Sequence, residues 1–210
     1  MIELTTYFDD YNIPRGKATY KHKSYAYIYE NLLSPFRNTK VTLVELGVSH
    51  GGSLQMWKTW LGPQSIIFGL DKEDRLLYEE SQIKCFLIDS SKQEDLQRLS
   101  SFIPQLDIFI DDGGHVNSEQ IAVFETVFPL LNPGGLYFCE DVHTSYRETS
   151  YGGGYLKPGT FMEYCKTLSD SLNHLEDTRI PVNKFINEIN SIFFYRSMVV
   201  IRKIKEGIFQ

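Results

Sequence analysis

The sequence predicts an α/β fold with a mostly parallel sheet of seven strands, helices on both faces and a C-terminal antiparallel hairpin. Three observations support this prediction. Short apolar runs alternate with amphipathic stretches, as they do in repeated βα units. The apolar runs end at glycine or acidic residues. Two further β-rich runs near the end of the chain are separated by only two residues, Arg196 and Ser197, which favours a hairpin.

Five parallel strands are predicted from short runs of apolar residues. They cover residues 42–47, 65–71, 84–89, 107–111 and 136–140. Four of the five finish on a carboxylate. Ligands of open α/β sheets bind beyond the carboxyl ends of the strands, so these acids indicate a binding site and not random surface charge.

Helices are predicted where apolar residues return at intervals of three and four positions. They cover residues 25–33, 53–61, 93–102, 118–131 and 160–172. The turn Pro133-Gly134-Gly135 leads into the fifth strand. The hairpin strands are predicted at residues 191–195 and 198–202, on the edge of the sheet.

Two segments break the alternation and are predicted to be loops over a site. Within the N-terminal segment 1–25, which is expected to contact substrate or form a lid, residues 6–25 contain five aromatic residues without clean periodicity; segment 146–159 contains Tyr151-Gly152-Gly153-Gly154-Tyr155. Glycines between tyrosines would let aromatic faces move across a ligand, as a lid does. A flexible surface loop with no role is the alternative.

The composition is that of an ordinary globular protein and excludes several classes. Residues 1–210 fit one domain, and a net charge of −6 provides no basic surface for nucleic acid. The three cysteines show no C-x-x-C spacing, so neither a disulfide framework nor a zinc site is indicated. The sequence has no signal-peptide pattern and no apolar run of about 18 residues, so we expect a cytoplasmic location without membrane insertion.

A glycine turn follows the first predicted strand and opens the next helix, in the segment VELGVSHGGS at residues 44–53. Its spacing departs from the G-x-G-x-x-G pattern that a pyrophosphate requires, which disfavours a dinucleotide. S-adenosylmethionine (SAM) has no phosphate and demands less of this turn. Asp71 is placed to accept hydrogen bonds from ribose hydroxyls, and Asp89 is placed for the adenine amino group. These features favour SAM over NAD.

Acidic pairs follow the fourth and fifth predicted strands. Asp112 follows the fourth strand, while Glu140 and Asp141 lie at the end of the fifth. Neighbouring parallel strands are about 5 Å apart, so these carboxylates can converge above the sheet. Their mutual repulsion predicts a hard divalent cation such as Mg²⁺. The alternative is that the acids cap loops and remain solvated.

Two histidines fall in the same segments. His115 comes three residues after Asp112, across a Gly-Gly turn, and is predicted to be a general base that removes the proton of an acceptor hydroxyl. His143 is the competing candidate, as an orienting group or a substrate contact.

These motifs together resemble a known family of enzymes. The specific segments are VELG with GGSLQMW, then DDGGH, EDVHTSY and GGGY with PGTF. They are similar to the metal-dependent sugar O-methyltransferases of macrolide and tetracenomycin biosynthesis, the mycinamicin type, and to cephalosporin hydroxylase-like bacterial proteins. The resemblance runs from about Tyr20 to Lys203. It implies a Rossmann-like class I methyltransferase fold.

The resemblance also implies residue roles. Asp112, Glu140 and Asp141 would hold the metal ion, and His115 would be the base. Glu45, Gly47, Asp71 and Asp89 would surround SAM, and we extend this expected set to its neighbours Ser49, Gly51, Ser53, Ser90 and Asp111.

The implied reaction moves a methyl group from SAM to a hydroxyl of a sugar or of a glycosylated natural product, with Mg²⁺ and a histidine base. The expected partner is a small-molecule or glycan hydroxyl acceptor, and a homo-oligomer is compatible with the sequence. Three alternatives remain open at this stage. They are methylation of a phenol or catechol, a regulator that binds SAM or a nucleotide without chemistry, and an NAD-dependent dehydrogenase.

Overall fold

A computed structural model of the chain describes residues 3–9, 19, 21–103 and 105–205. The contacts of the chain divide it into two compact units, Met1–Asp89 and Ser90–Gln210. Seven strands form one mixed sheet with antiparallel strands at its C-terminal end, which confirms the predicted fold class.

The first unit contains three parallel strands, in the order β3-β2-β1. They are β1 (Thr42–Leu46), β2 (Ile66–Asp71) and β3 (Ile83–Leu87). Its helices are α1 (Leu4–Asp9), α2 (Tyr25–Leu33) and α3 (Gly52–Leu61), and 3-10 turns cover Ser34–Phe36 and Leu76–Tyr78. Trp57 of α3 is fully buried and meets the ring of Tyr29 edge-on at 4.8 Å between centroids.

Helix α1 overlaps the start of the segment that was predicted to be a loop, so that prediction is wrong over residues 6–9. The helix is short, but Leu4, Tyr7 and Phe8 are buried together on one face at helical spacing. The backbone N–H of Leu4 also donates to the Glu30 carboxylate at 2.5 Å. The rest of the predicted N-terminal segment is described only at Glu3, Thr19 and residues 21–25.

The second unit contains four strands in the order β4-β5-β7-β6. Strands β4 (Ile108–Asp111) and β5 (Leu136–Glu140) are parallel, and β6 (Ile189–Tyr195) and β7 (Met198–Lys203) form the predicted antiparallel hairpin, with β7 also antiparallel to β5. The helices are α4 (Gln93–Gln97), α5 (Leu99–Phe102), α6 (Asn117–Val127) and α7 (Phe161–Ser171). Short 3-10 turns cover Phe128–Leu130 and Val142–Tyr146.

Two predicted helices differ from the structure. The helix expected at residues 93–102 is divided into α4 and α5 at Arg98. The helix expected at residues 118–131 ends at Val127 and continues as a 3-10 turn that contains Pro129. Proline lacks the backbone N–H that an α-helix uses, which explains the change of helix type.

The core of the second unit is rich in aromatic rings. Phe124 of α6 lies within 4.9–5.5 Å, between ring centroids, of Phe128, Tyr137 and Phe185. The three cysteines of the chain are buried and form no disulfide bond. Within the described residues, no helix has the length and apolarity needed to cross a membrane.

Candidate functional site

The glycine turn after β1 has a tightly folded backbone. Gly47, Ser49 and Gly51 all have positive φ angles, of 96°, 48° and 73°. Gly51 caps the start of α3, and a Cβ atom there would lie 2.8 Å from the Tyr78 ring. Glycine is therefore required at residue 51, both for its backbone angle and for its close approach to Tyr78.

Asp71 ends β2 and holds this turn in place. Its Oδ2 accepts hydrogen bonds from the backbone N–H groups of Val48 and Ser49 at 3.0 and 3.1 Å, and Arg75 Nε donates to it at 3.2 Å. Its Oδ1 accepts from Glu73 N at 3.0 Å. A carboxylate oxygen has two lone pairs, so among the described residues Oδ1 retains capacity for one more donor.

Glu45 of β1 is fully buried, and side chains from α3 and from the segment before α2 contact its carboxylate. Its Oε2 accepts a hydrogen bond from Ser53 Oγ of α3 at 2.5 Å. Its Oε1 lies 2.8 Å from Nζ of Lys21, whose side chain is only 1% exposed. Two predicted site residues, Glu45 and Ser53, are thus joined directly, and the buried cation beside them was not predicted.

The remaining expected cofactor residues lie just after β3. Asp89 and Ser90 are both half-buried. The Ser90 hydroxyl donates to Glu119 Oε2 of α6 at 3.4 Å. The expected contact of Asp89 and Ser90 with an adenine ring stays a prediction.

We expect Asp71→Ala to weaken binding of SAM or of its product S-adenosylhomocysteine (SAH) about tenfold or more. The change removes a charged acceptor whose hydrogen bonds contribute roughly 1.5–3 kcal/mol each. Titration calorimetry measures this effect. Asp74→Ala is the matched control, because Asp74 bonds only the loop amide of Leu76 among the contacts described. Equal SAH affinity in the two variants would contradict the role of Asp71.

In the second unit the loops after β4 and β5 bring three predicted side chains together. Single ligand atoms of Asp112, His115 and Asp141 all lie within 4.8 Å of one another. His115 Nε2 is 3.9 Å from Asp112 Oδ1 and 3.6 Å from Asp141 Oδ2. An oxygen of the buried Glu140 also lies within 4.8 Å of one of Asp112. The group therefore contains oxygen donors suited to a hard divalent cation.

The backbone at this cluster is unusual at two positions. His115 and Asp141 have positive φ angles of 55° and 54°, which residues other than glycine rarely adopt. The buried Thr144 hydroxyl is 3.1 Å from the carbonyl of His115 and 3.0 Å from that of Asp141. One hydroxyl thus links the two turns. Backbone strain of this kind collects at functional sites.

The two candidate bases differ in their surroundings. Nδ1 of His115 is buried and has no hydrogen-bond partner among the described residues, while Nε2 faces the carboxylates. Nδ1 of His143 lies 3.0 Å from the hydroxyl of Ser197 and 3.9 Å from Asp141 Oδ1. His143 is therefore anchored to the hairpin turn, whereas His115 presents its Nε2 to the acidic cluster.

Asp111, the last residue of β4, is buried and is bonded from two sides. Tyr137 donates its hydroxyl to Oδ2 at 3.0 Å, and Gly113 N donates to Oδ1 at 3.4 Å. Burial raises the pKa of Asp111 to about 6, despite the opposing effect of these two hydrogen bonds. These contacts support the turn that carries Asp112. A contact of Asp111 with the cofactor stays a prediction.

We expect the free energy of unfolding of the metal-free protein to depend less on pH, between about pH 4 and pH 6, in Asp111→Asn than in the wild type. The folded pKa of about 6 exceeds the ordinary value of 3.8, so the folded state binds the proton more tightly. The protonated Asp111 therefore contributes to the free energy of unfolding in full below pH 3.8. The contribution is lost as the pH rises through 6, which is a difference of about 3 kcal/mol.

Urea unfolding in chelator at several pH values measures this change in the free energy of unfolding. Asp107→Asn, just before β4, controls for the loss of a carboxylate. A wild-type curve and an Asp111→Asn curve that run parallel across this range would contradict the prediction.

The glycine-rich segment 146–159 is anchored at one end by a buried network. The side chain of Asn117 accepts hydrogen bonds from Ser145 Oγ and Phe161 N, and donates to the carbonyl of Tyr151, at 2.6 to 2.8 Å. A Cβ atom on Gly153 would clash with the backbone of Thr144 and Arg147. Beyond this anchor Tyr155 is 75% exposed. The lid function of this segment stays a prediction.

Sequence reasoning missed several residues that shape these sites. Lys21, Asn117, Tyr137 and Thr144 all contact predicted site residues or the predicted lid. Thr144 lies within the EDVHTSY motif, so its position was a usable signal. No sequence signal pointed to Lys21, because its partner Glu45 is 24 positions away and such a pair produces no local pattern.

The chain is similar to enzymes that methylate sugars of natural products. It is 34% identical over 190 residues to 8-demethyl-8-alpha-L-rhamnosyl tetracenomycin-C 2'-O-methyltransferase of Streptomyces olivaceus. It is 35% identical over 159 residues to mycinamicin VI 2''-O-methyltransferase of Micromonospora griseorubida. These matches cover 86% and 70% of this chain, but only 50% and 39% of the relatives. No family model matches the sequence.

Solved structures agree with the sequence comparison. MycE methyltransferase of the mycinamycin pathway, in complex with Mg and SAH, superposes with a TM-score of 0.85 and 29% identity over 99% of this chain and 56% of that one. A second MycE structure that also holds mycinamycin VI matches equally well, over 55% of its chain.

The chain is a homologue of the sugar O-methyltransferases. This conclusion confirms the resemblance found in the motifs. The matches span 39% to 56% of the length of these sugar O-methyltransferases.

Proposed function

We propose that the chain is a SAM-dependent, Mg²⁺-dependent O-methyltransferase that acts on a hydroxyl group of a sugar or of a glycosylated natural product. The observation that carries the proposal is the cluster of Asp112, His115 and Asp141 at the carboxyl ends of two parallel strands. Homologues that act on glycosylated natural products, and MycE structures that hold Mg and SAH, support it.

The acidic cluster fits a magnesium ion by the chemistry of its donors. Asp112 and Asp141 supply carboxylate oxygens on half-buried side chains, and Glu140 supplies another close to Asp112. Mg²⁺ prefers such oxygens and retains further positions for water or substrate. When bound, the ion would polarise and orient the acceptor hydroxyl. His115 lies close enough to the two aspartates to be a nitrogen ligand of the same ion. A nitrogen bound to the ion could not accept a proton, so the proposed role of His115 as a base requires that its Nε2 is not a ligand.

The glycine turn fits a cofactor without phosphate groups. Its two close N–H groups, of Val48 and Ser49, are already bound by Asp71 and are unavailable to a pyrophosphate. The free capacity of Asp71 Oδ1 suits a ribose hydroxyl. This chemistry favours SAM over NAD. The rest of the proposed SAM pocket is formed by Glu45, Gly47, Ser49, Gly51 and Ser53.

The residues of the chain would contribute to catalysis in three ways. Asp112, Glu140 and Asp141 would hold the cation, which would supply a fixed positive charge beside the acceptor hydroxyl. Nε2 of His115 takes the hydroxyl proton as the acceptor oxygen forms its bond to the methyl carbon, while the bond from that carbon to the sulfonium sulfur breaks and SAH leaves. The exposed aromatic rings of Tyr146 and Tyr155 offer stacking faces for a sugar ring and exclude water.

A radiolabel assay tests the proposed function. The chain is incubated with methyl-labelled SAM, Mg²⁺ and separate panels of rhamnosides, other glycosides and catechols, and we expect label on a glycoside hydroxyl. Label on catechols alone would favour the phenol alternative. Binding of SAH without turnover on any panel would favour a regulator. Three buried cysteines without a disulfide bond are consistent with the proposed reducing, cytoplasmic location.

A further inference from the structure

Thr144 lies between the two turns that carry the proposed base and one proposed metal ligand. It is buried, and its hydroxyl is 3.1 Å from the carbonyl oxygen of His115 and 3.0 Å from that of Asp141. The first of these residues follows β4 and the second follows β5. A single side chain therefore connects two loops that come from different strands.

The contact of Thr144 with Asp141 alone would be ordinary. Threonine hydroxyls often bond a carbonyl three or four residues earlier, and the backbone N–H of Thr144 also donates to the carbonyl of Asp141 at 3.0 Å. The contact with His115 is different, because it spans 29 positions of the sequence. Among the described residues, no other donor reaches the carbonyl oxygen of His115. Local turn formation therefore does not explain this second contact.

Both linked residues have backbone conformations that need support from their surroundings. The φ angles of His115 and Asp141 lie in the left-handed region, at 55° and 54°, and such conformations persist where neighbouring contacts hold them. The conformation of each residue also affects where its side chain points. Nε2 of His115 and Oδ2 of Asp141 are 3.6 Å apart, so a small rotation of either turn would change the distance between them.

We propose that Thr144 is a positioning residue that fixes the proposed base relative to a proposed metal ligand. Its single hydroxyl proton is shared by the two carbonyls, so Thr144 acts through His115 and Asp141 and not on the acceptor. The base and the cation must meet the same acceptor oxygen, and a misplacement of about 1 Å can lower a rate a hundredfold. This inference rests on the proposed function, because it assumes the roles given there to His115 and Asp141.

Metal affinity is measured on the intact chain without an acceptor. Thr144→Val keeps the shape of the side chain and removes the hydroxyl. We expect it to weaken Mn²⁺ binding, followed by electron paramagnetic resonance, roughly threefold to thirtyfold. Thr144→Ser keeps the hydroxyl and should bind Mn²⁺ within about threefold of the wild type. It provides a folded comparison if Thr144→Val does not fold, and a larger loss of affinity in Thr144→Ser would contradict the proposal.

Turnover at saturating Mg²⁺ separates the shared role of Thr144 from a role in metal binding alone. A high Mg²⁺ concentration compensates for weaker metal binding in Thr144→Val, so any remaining loss of kcat reports a misplaced base. We expect kcat at saturating Mg²⁺ to stay roughly tenfold to a hundredfold below that of the wild type. Complete recovery of kcat would mean that Thr144 supports Asp141 only, and it would overturn the proposal.

Thr126→Val is the matched control, because the hydroxyl of Thr126 in α6 is 2.8 Å from the carbonyl oxygen of Ala122. The change removes a similar hydrogen bond from the same unit. It should lower the free energy of unfolding in urea without changing Mn²⁺ affinity or kcat. Wild-type Mn²⁺ affinity in a folded Thr144→Val variant would make Thr144 a structural residue and overturn the proposal while the proposed function stands. If the wild type binds no Mn²⁺, the proposed function fails, and this inference fails with it.

Discussion

Removal of the divalent cation is expected to lower methyl transfer by roughly 10³-fold or more. A catalytic metal ion contributes several kcal/mol of charge stabilisation, and about 4 kcal/mol corresponds to a thousandfold change in rate. EDTA should therefore abolish turnover in the labelled-SAM assay, and added Mg²⁺ should restore it. Asp141→Ala should reproduce the loss and should resist restoration, since its carboxylate is part of the acidic cluster.

The control for this prediction is another acid of the second unit. Asp177 forms an exposed pair with Arg179 at 2.6 Å, so Asp177→Ala removes a carboxylate without touching the cluster. Its activity should equal that of the wild type and should respond to EDTA in the same way. Full activity of the wild type in chelator, or of Asp141→Ala, would rule out a catalytic metal ion.

His115→Ala is expected to lower kcat by roughly 10²- to 10⁴-fold, which is the usual contribution of a general base. Nε2 of His115 lies between Asp112 and Asp141, where an acceptor hydroxyl oriented by the cation would be within reach. SAH affinity should stay near that of the wild type, because binding and chemistry use different residues. Added imidazole should restore part of the rate if the ring acts as a base.

Two measurements separate this role from its alternatives. Mn²⁺ binding, followed by electron paramagnetic resonance, should be retained in His115→Ala; a parallel loss of metal affinity would make His115 a ligand. His143→Ala is the matched histidine variant, since its Nδ1 is held by Ser197. If His143→Ala loses the rate and His115→Ala keeps it, the two assignments must be exchanged.

The sequence predicted the strands well because each is a short apolar run with a polar end. Strand β5 matches its predicted bounds at Leu136–Glu140, and β2 differs by one residue. Helix α1 was missed because six residues are too few to establish a periodic pattern. The break at Arg98 and the helix change before Pro129 depend on local backbone geometry, which apolar spacing does not encode.

The candidate site was predictable to the extent that strand order determines it. Carboxylates at neighbouring strand ends must lie close together, and the structure places Asp112 and Asp141 accordingly. The catalytic and binding roles of these residues stay predictions. Partners from distant segments were beyond sequence reasoning, as Lys21 beside Glu45 and Tyr137 beside Asp111 show. Such pairs arise from tertiary packing, so the spacing of residues along the chain does not predict them.

The fit of Gly153 against the backbone of Thr144 and Arg147 has a consequence for engineering acceptor range. Libraries that randomise the whole glycine-rich segment would mostly yield misfolded members, because any side chain at residue 153 displaces this anchor. Tyr155 and Leu156 are exposed beyond it, at 75% and 57%, and the positive φ of Leu156, 55°, disfavours β-branched replacements there. Diversity confined to these two positions would therefore test whether the segment selects the acceptor, while its anchored half keeps its shape.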